Sequence, residues 1–346
     1  ARVRAGDKLV AIFANGYNGR SGRASLMVVD LETGNLIKRI RVNGAGSALA
    51  APALLDRDND GYVDFVYSGD DAGNLWRFDL SGADISDWSL DLGGIPLLSA
   101  ATGQPITSAP TVYVSENDEV MVYVGTGRYL GVSDKSDVSV QAMYAVHDKW
   151  LGGEVFNTTV TASRLVAQTV VYERDGAALV GGGTSNTAIR ITSANEVDYD
   201  SYDGWYMQLV PPAPAGVQGE RINASAVVRH GRLIFTTLIP PVDSCEFGGS
   251  SWLMEMDAIS GKRFETSVLD LNGDGRIDDR DMYLLVDEKF SIGGRKSGEL
   301  IRTPAFVGFG DTEGKYISGS SGSLTKVLEK GGATLVRGRL SWQQLE

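Results

Sequence analysis

The chain has 346 residues, of which 43 are glycine, and it carries a formal net charge of −12. A chain of this length can bury a large core, as one big β domain or as two ordinary domains. The acidic balance argues against nucleic acid and anionic membranes as partners, and no stretch is apolar for long enough to predict membrane insertion.

Short apolar strands bounded by Gly, Asn, Asp and Pro recur from the start of the chain, which favours an all-β architecture. One unit, at 25–36, is a strand, an aspartate, a Thr-Gly turn and a second strand; near-repeats lie at 74–82, 251–262 and, in degenerate form, 322–327. Strands of similar form are found at Leu9–Phe13, Asp64–Tyr67, Val120–Val124 and Arg232–Phe235. Repeated blocks of this kind indicate a β-propeller with quinoprotein-type turns, with a β-sandwich as the alternative.

The acidic segment at 56–64, with the sequence DRDNDGYVD, is typical of a calcium-binding loop. Carboxylates at loop positions 1, 3, 5 and 9 can converge on one hard cation, while the glycine at position 6 permits a sharp turn. The predicted ligands are Asp56, Asp58, Asp60, the Tyr62 carbonyl and Asp64. Position 12 is Tyr67, a poor ligand, so Asp64 must contribute more of the coordination of the ion. A plain acidic turn without an ion is the alternative.

The repeat fades between about residues 131 and 202, where strands are predicted only at 143–148 and 178–180. Long polar stretches join these two segments. We therefore interpret this part of the chain as a divergent blade with excursions.

No constellation of residues in the sequence predicts an enzyme. His147 and His230 stand in unrelated contexts, each without a companion at metal-ligand spacing, and no Gly-x-Ser-x-Gly elbow is present. A quinone-dependent dehydrogenase, which the propeller would permit, typically has an adjacent cysteine pair, whereas Cys245 is the only cysteine. Its thiol is either free or paired with a cysteine outside this chain.

A second acidic loop, at 270–281, repeats the pattern of the first and adds a carboxylate at position 12. Its predicted calcium ligands are Asp270, Asn272, Asp274, the Arg276 carbonyl, Asp278 and Asp281. Apolar residues then recur at helical spacing, and early acids suit a helix N-terminus, so a short helix is predicted from Asp279 to Phe290. The first loop thus leads into a strand and the second into a helix.

The segment Gly61–Leu80, directly after the first loop, resembles the C-terminal domain of the PilY/PilC family of type IV pilus-tip adhesin and pilus biogenesis proteins. Further segments similar to this family lie at 104–110, 123–130, 204–206, 234–240, 248–252 and 338–342, with Cys245 between 234–240 and 248–252. The resemblance covers nearly the whole chain. It does not extend to the second loop as a family calcium site, so that loop depends on its own ligand pattern.

The resemblance implies a modified quinoprotein-like propeller, here residues 1–346 as one domain, with two or three N-terminal blades expected outside this chain. It also implies a calcium site at Asp56–Asp64 and an extracellular place at the pilus tip after export through the periplasm. The implied partners are minor pilins and a host or abiotic surface, and the implied roles are pilus assembly, opposition to retraction, adhesion, twitching motility and virulence. The alternative is a glycan- or receptor-binding propeller with structural calcium, which exposed Trp88, Trp150 or Trp205 would favour.

Overall fold

The computed structural model describes residues 1–17, 22–152, 155–180, 182–185, 187–241 and 248–332. Cys245 and the segment at 338–342 lie outside these residues. Within the described ranges the only helices are short 3-10 turns, at Ala5–Asp7, Leu92–Gly94, Val132–Lys135, Lys149–Gly152, Ala162–Arg164 and Asp279–Asp281. The rest of the regular structure is β-strand, which confirms the predicted all-β class.

The strands are short and follow one another closely along the chain. The first nine are β1 Arg2–Val3, β2 Lys8–Ala14, β3 Ser25–Asp30, β4 Leu36–Arg41, β5 Ala53–Leu55, β6 Phe65–Gly69, β7 Asn74–Asp79, β8 Ser89–Leu90 and β9 Leu98–Ser99. The next seven are β10 Thr111–Val114, β11 Val120–Gly125, β12 Ala142–His147, β13 Val166–Gln168, β14 Val170–Arg174, β15 Ile189–Thr192 and β16 Gly204–Gln208. The remaining ones are β17 Val227–Arg229, β18 Arg232–Thr236, β19 Ser251–Asp257, β20 Tyr283–Leu285, β21 Glu288–Phe290, β22 Gly294–Ser297, β23 Ala305–Phe309, β24 Thr312–Ser318 and β25 Leu324–Lys330.

These strands form five larger sheets, which follow the order of the chain except that β16 returns to the third sheet after β14 and β15, and a small hairpin of β20 and β21. Sheet I is β1-β2-β3-β4, and sheet II is β5-β6-β7-β8 with β9 also paired to β7. Sheet III is β10-β11-β12-β16-β13, sheet IV is β14-β15-β22-β19-β18-β17, and sheet V is β23-β24-β25. Neighbouring strands are antiparallel, except that β13 runs parallel to β16.

Each sheet packs one face against the next sheet along the chain, with an apolar cluster between them. Representative buried pairs are Leu26 and Trp76 between sheets I and II, Tyr67 and Tyr144 between II and III, Trp205 and Trp252 between III and IV, and Leu253 and Ile317 between IV and V. Burying one such large side chain contributes about 1.5–3 kcal/mol. Serial face-to-face packing is the arrangement expected of successive propeller blades.

The predicted turn after an aspartate is confirmed by hydrogen bonding. Asp30 Oδ1 accepts the N–H of Thr33 at 3.1 Å, and Asp257 Oδ1 accepts the N–H of Ser260 at 2.7 Å. The glycine that ends each turn has a left-handed φ, +72° in the first and +68° in the second. The aspartate therefore closes the turn through its side chain, and glycine supplies the backbone conformation that other residues adopt at a cost.

A second repeat, which the strand pattern did not reveal, places an isoleucine against a strand-ending glycine. A Cβ on Gly69 would lie 2.1 Å from Ile106 Cγ2, and a Cβ on Gly125 would lie 2.2 Å from Ile222 Cγ2. Both glycines end the second strand of their sheet, and each isoleucine precedes an edge strand of the following sheet, Ile106 before β10 and Ile222 before β17. The close approach at equivalent positions shows the same inter-sheet joint used twice.

The prediction of a helix from Asp279 to Phe290 is wrong. The structure has a 3-10 turn at Asp279–Asp281, followed by the hairpin of β20 and β21. Val286 and Asp287 form its tight turn with φ of +46° and +67°, values incompatible with a continuing α-helix. Tyr283 is buried and its ring stacks on Tyr172 at 5.3 Å, so tertiary packing, with alternate residues buried, decided the structure here.

The divergent region contributes to two sheets rather than to one blade. The strand predicted at 143–148 is confirmed as β12, whereas 178–180 makes only isolated bridges, from Ala178 to Thr184 and from Leu179 to Tyr283. The excursion after β12 returns as β13, which joins the edge of sheet III, and then β14 and β15 start sheet IV.

Candidate metal centre

The first acidic loop connects β5 to β6 in sheet II. Asp56 follows β5 directly and Asp64 immediately precedes β6. Carboxylate oxygens of Asp56, Asp58 and Asp64 all lie within 4.8 Å of one another. Asp64 is buried, with 6% of its surface exposed. One side of this cluster of oxygens is therefore formed by a buried residue.

Backbone hydrogen bonds wrap the loop around its own carboxylates. Asp56 Oδ2 accepts the N–H of Gly61 at 2.8 Å, and Asp60 Oδ1 accepts the N–H of Tyr62 at 3.0 Å. Gly61 has φ of +91°, which side-chain-bearing residues rarely adopt. The glycine at loop position 6 is therefore required by the turn, as the spacing predicted.

The structure brings three of the four predicted carboxylates together and turns the fourth toward an arginine. Asp60 Oδ2 lies 2.7 Å from Arg4 Nη1, and Asp60 is not among the residues whose oxygens converge. The N–H of Tyr62 and the Arg4 guanidinium lower the pKa of Asp60. Sequence reasoning missed Arg4, because nothing in its neighbourhood indicates a contact with a loop so far along the chain.

Tyr67, at loop position 12, points away from the loop. Its hydroxyl donates a hydrogen bond to Asp148 Oδ2 at 2.8 Å, and the side chain is fully buried. The prediction that Tyr67 would be a poor ligand agrees with this position. Burial and the Asp148 carboxylate raise the pKa of the Tyr67 hydroxyl well above its ordinary value.

The second acidic loop follows the same local pattern of hydrogen bonds. Asp270 Oδ2 accepts the N–H of Gly275 at 3.0 Å, and Asp274 Oδ1 accepts the N–H of Arg276 at 2.8 Å. These bonds join loop positions 1 and 6 and positions 5 and 7, as they do in the first loop. Similar spacing of the same residue types has therefore produced a similar turn in two different parts of the fold.

The carboxylates of the second loop are used differently from those of the first. Asp281 is fully buried and accepts the N–H groups of Leu271 at 2.8 Å and Asp278 at 3.0 Å, while burial raises its pKa. Within the described part of the chain, only the first loop gathers three carboxylates within 4.8 Å. The second set of ligands, which also includes Asn272 and the Arg276 carbonyl, stays a prediction.

Three tryptophans that could have marked a glycan-binding face lie inside the protein. The exposed fractions of Trp88, Trp150 and Trp205 are 1%, 7% and 0%. The two histidines lie on different sheets, His147 at the end of β12 and His230 in the turn between β17 and β18. None of the helices in the described ranges could cross a membrane.

Five sheets packed in series, with an acidic loop built into the second, define the class of protein as a β-propeller that carries a candidate cation site. Residues 1–181 match the family model described as the PilY1 beta-propeller domain. Since this match covers more than half of the chain, the chain belongs to the PilY1 β-propeller family, and the predicted family is confirmed.

Individual relatives agree with this assignment. The chain is 34% identical over 273 residues to a type IV pilus biogenesis factor PilY1 homolog of Xylella fastidiosa, and 29% identical over 335 residues to type IV pilus biogenesis factor PilY1 of Pseudomonas aeruginosa. These alignments cover 72% and 87% of the chain but only 18% and 28% of the relatives' own length.

The fold is similar to the crystal structure of the Pseudomonas aeruginosa PilY1 C-terminal domain. The TM-score is 0.79 at 25% sequence identity, with 94% of this chain and 70% of that chain covered. This likeness confirms the predicted propeller fold. It also shows that the sheets described above correspond to a domain found at the C-terminal end of a longer relative.

Proposed function

We propose that this chain is the calcium-binding, non-enzymatic propeller module of a type IV pilus biogenesis factor. At the pilus tip it supports pilus assembly, opposes retraction and contributes to adhesion and twitching motility. The observation that carries the calcium proposal is the convergence of Asp56, Asp58 and Asp64 oxygens within 4.8 Å. The pilus role is supported by the names and the similarity of the relatives, of which this chain matches a minor part.

The oxygen-only donor set of the first loop fits a hard cation such as calcium. Asp56, Asp58, Asp60, the Tyr62 carbonyl and Asp64 would hold the ion, and its charge would offset the repulsion between the carboxylates. A divalent ion offsets the charge of several carboxylates more fully than sodium or potassium does.

Asp64 connects the ligand set to the sheet. Its N–H donates to the carbonyl of Leu55 at 2.9 Å, and its own carbonyl accepts the N–H of Leu80 at 2.8 Å. The site therefore joins the end of β5, the start of β6 and the end of β7. Closure of the ligands on calcium would fix this end of sheet II as a surface for minor pilins, and loss of calcium would loosen it.

Calorimetric titration of calcium into chelator-treated protein tests the site. Wild type should bind calcium, and Asp64→Ala should lose affinity sharply while its circular dichroism spectrum stays that of the wild type. Asp175→Ala, which removes an exposed aspartate from the turn after β14, is the matched control and should bind normally. Near-wild-type binding by Asp64→Ala would overturn the assignment. Asp274→Ala in the same series tests whether the second loop holds a second ion.

The pilus role is tested in the bacterium that carries the gene, with Asp64→Ala placed in the full-length protein. Fewer surface pili and smaller twitching zones than in wild type are expected, with Asp175→Ala again as control. Equal export of the two variants, measured by immunoblot of sheared surface fractions, shows that the difference lies in pilus behaviour. Normal piliation and motility in the Asp64→Ala strain would contradict the role of calcium in retraction.

A further inference from the structure

Arg4 inserts a positive charge among the carboxylates of the first loop. Beyond its ion pair with Asp60, its Nη2 atom lies 3.5 Å from Asp64 Oδ1 and 3.7 Å from Asp58 Oδ2. Two of these three carboxylates also belong to the converging group. The guanidinium thus faces carboxylates that would also ligate calcium.

The segment around Arg4 is packed against the loop. Arg4 lies between β1 and the 3-10 turn Ala5–Asp7, and its guanidinium lies 5.3 Å from the centre of the Tyr62 ring. The Tyr62 hydroxyl donates to Asp7 Oδ1 at 2.7 Å, and the N–H of Val63 donates to the carbonyl of Arg2 at 2.9 Å. These contacts fix the backbone of Arg4 beside the ligands.

The second loop shows the same arrangement with an arginine from a different place in the chain. Arg280 Nη2 lies 2.9 Å from Asp274 Oδ2 and 2.7 Å from Asp278 Oδ2. Asp274 and Asp278 occupy loop positions 5 and 9, the positions of Asp60 and Asp64 in the first loop. An arginine between positions 5 and 9 is therefore a feature common to both acidic loops.

We propose that Arg4 is an internal counter-cation that competes with calcium for Asp58, Asp60 and Asp64. This inference rests on the calcium site proposed above. Two cations beside the same carboxylates repel each other, so Arg4 lowers the affinity of the loop for calcium. When calcium is scarce, the guanidinium offsets part of the repulsion between the carboxylates and limits how far the loop loosens. Together, these two effects would adjust the calcium affinity of the loop to the ~mM calcium levels of an extracellular setting.

The opposite role for Arg4, as a brace that orients the ligands, predicts the opposite sign. A brace strengthens calcium binding, and its removal weakens it. A competitor weakens calcium binding, and its removal strengthens it. Measuring the dissociation constant of an Arg4 variant therefore separates the two roles.

The experiment is calorimetric titration of calcium into chelator-treated wild type, Arg4→Gln, Arg4→Lys and Arg2→Gln. Arg2 is the matched control, because it lies in the same segment at 5.1 Å from the Tyr62 ring but pairs with Asp7 instead of the loop. Arg4→Gln should bind calcium about 5- to 10-fold more tightly, since a unit charge beside a divalent ion is removed. Arg4→Lys and Arg2→Gln should stay close to wild type.

Thermal unfolding gives a second readout that does not depend on the titration. In chelator, Arg4→Gln should melt at a lower temperature than Arg2→Gln, and added calcium should raise its melting temperature more than that of wild type. Unchanged or weaker calcium binding by Arg4→Gln overturns the inference, while loss of binding in Asp64→Ala alone would keep the proposed site. Absence of calcium binding by wild type overturns both.

Discussion

Arg77 Nη1 lies 2.6 Å from Asp148 Oδ1, and this buried ion pair joins sheet II to sheet III. Only 4% of the Arg77 side chain and none of the Asp148 side chain is exposed. Both partners have further hydrogen bonds, since Arg77 Nε donates to Asp91 Oδ2 at 2.7 Å and the Tyr67 hydroxyl donates to Asp148. The network therefore fixes the β-strand that follows the candidate calcium loop to the neighbouring sheet.

Replacement of Arg77 by methionine should destabilise the domain strongly. The change leaves the Asp148 carboxylate buried without its cation, and breaking a buried pair in this way typically costs about 3–5 kcal/mol. Urea unfolding followed by tryptophan fluorescence measures the loss. Arg2→Met, which breaks the exposed pair with Asp7, should leave the unfolding midpoint close to wild type. Equal midpoints for the two variants would contradict the importance of the buried pair.

Gly125→Ala should destabilise the joint between sheets III and IV. Its new Cβ would lie 2.2 Å from Ile222 Cγ2 and 2.5 Å from Ile222 Cβ, so the structure must shift at a cost of about 3 kcal/mol. Gly298→Ala is the control, because a Cβ there meets nothing within 4 Å. The double variant Gly125→Ala with Ile222→Ala should be more stable than the sum of the two single changes predicts. Simple additivity would contradict the contact.

The sequence predicted the acidic loops well because their geometry is local. The hydrogen bonds that wrap the backbone around the Asp56 and Asp60 carboxylates join residues within the segment 56–64, and the residue types at fixed spacing determine them. Arg4 could not be predicted, because its contact with Asp60 depends on how sheet I packs on sheet II. The same limit explains the failed helix after Asp279, where apolar residues at helical spacing were equally compatible with a hairpin whose Tyr283 packs on Tyr172.

Acid should destabilise the folded chain through His147. Burial lowers its pKa below the ordinary value of 6.5, against smaller opposing influences from Glu119, Asp148 and Asp203, while Lys149 adds a small lowering of its own. Below about pH 6.5 the unfolded chain binds the proton more readily than the folded chain, so the free energy of unfolding falls as the pH falls through that range. His147→Gln should flatten this part of the stability curve, measured by urea unfolding between about pH 7 and pH 5. An unchanged slope would show that His147 does not cause the loss of stability in acid.

Lys315 occupies the centre of a buried charged cluster between sheets IV and V. Lys315, Glu255 and Glu329 are each 0% exposed. Lys315 Nζ contacts a carboxylate oxygen of Glu255 and lies 2.5 Å from Glu329 Oε2, which also lies 3.3 Å from Arg232 Nη2. Burial lowers the pKa of Lys315 to about 7 and raises that of Glu329. Among the residues that the structure describes, Lys315 is the only cation paired with Glu255, whereas Glu329 is paired with two.

Lys315→Met should lower the free energy of unfolding by about 3–5 kcal/mol, because it leaves the Glu255 carboxylate buried without a cation. Glu329 keeps Arg232, so a second change at Glu255 alone should remove the unpaired charge. The double variant Lys315→Met with Glu255→Leu should therefore recover most of the lost free energy of unfolding, since apolar residues can replace a buried ion pair without large cost. Urea unfolding of the wild type, both single variants and the double variant gives the coupling. If the double variant is as unstable as the sum of the single variants, the two side chains do not act as a pair and the cluster stabilises the last sheet by packing alone.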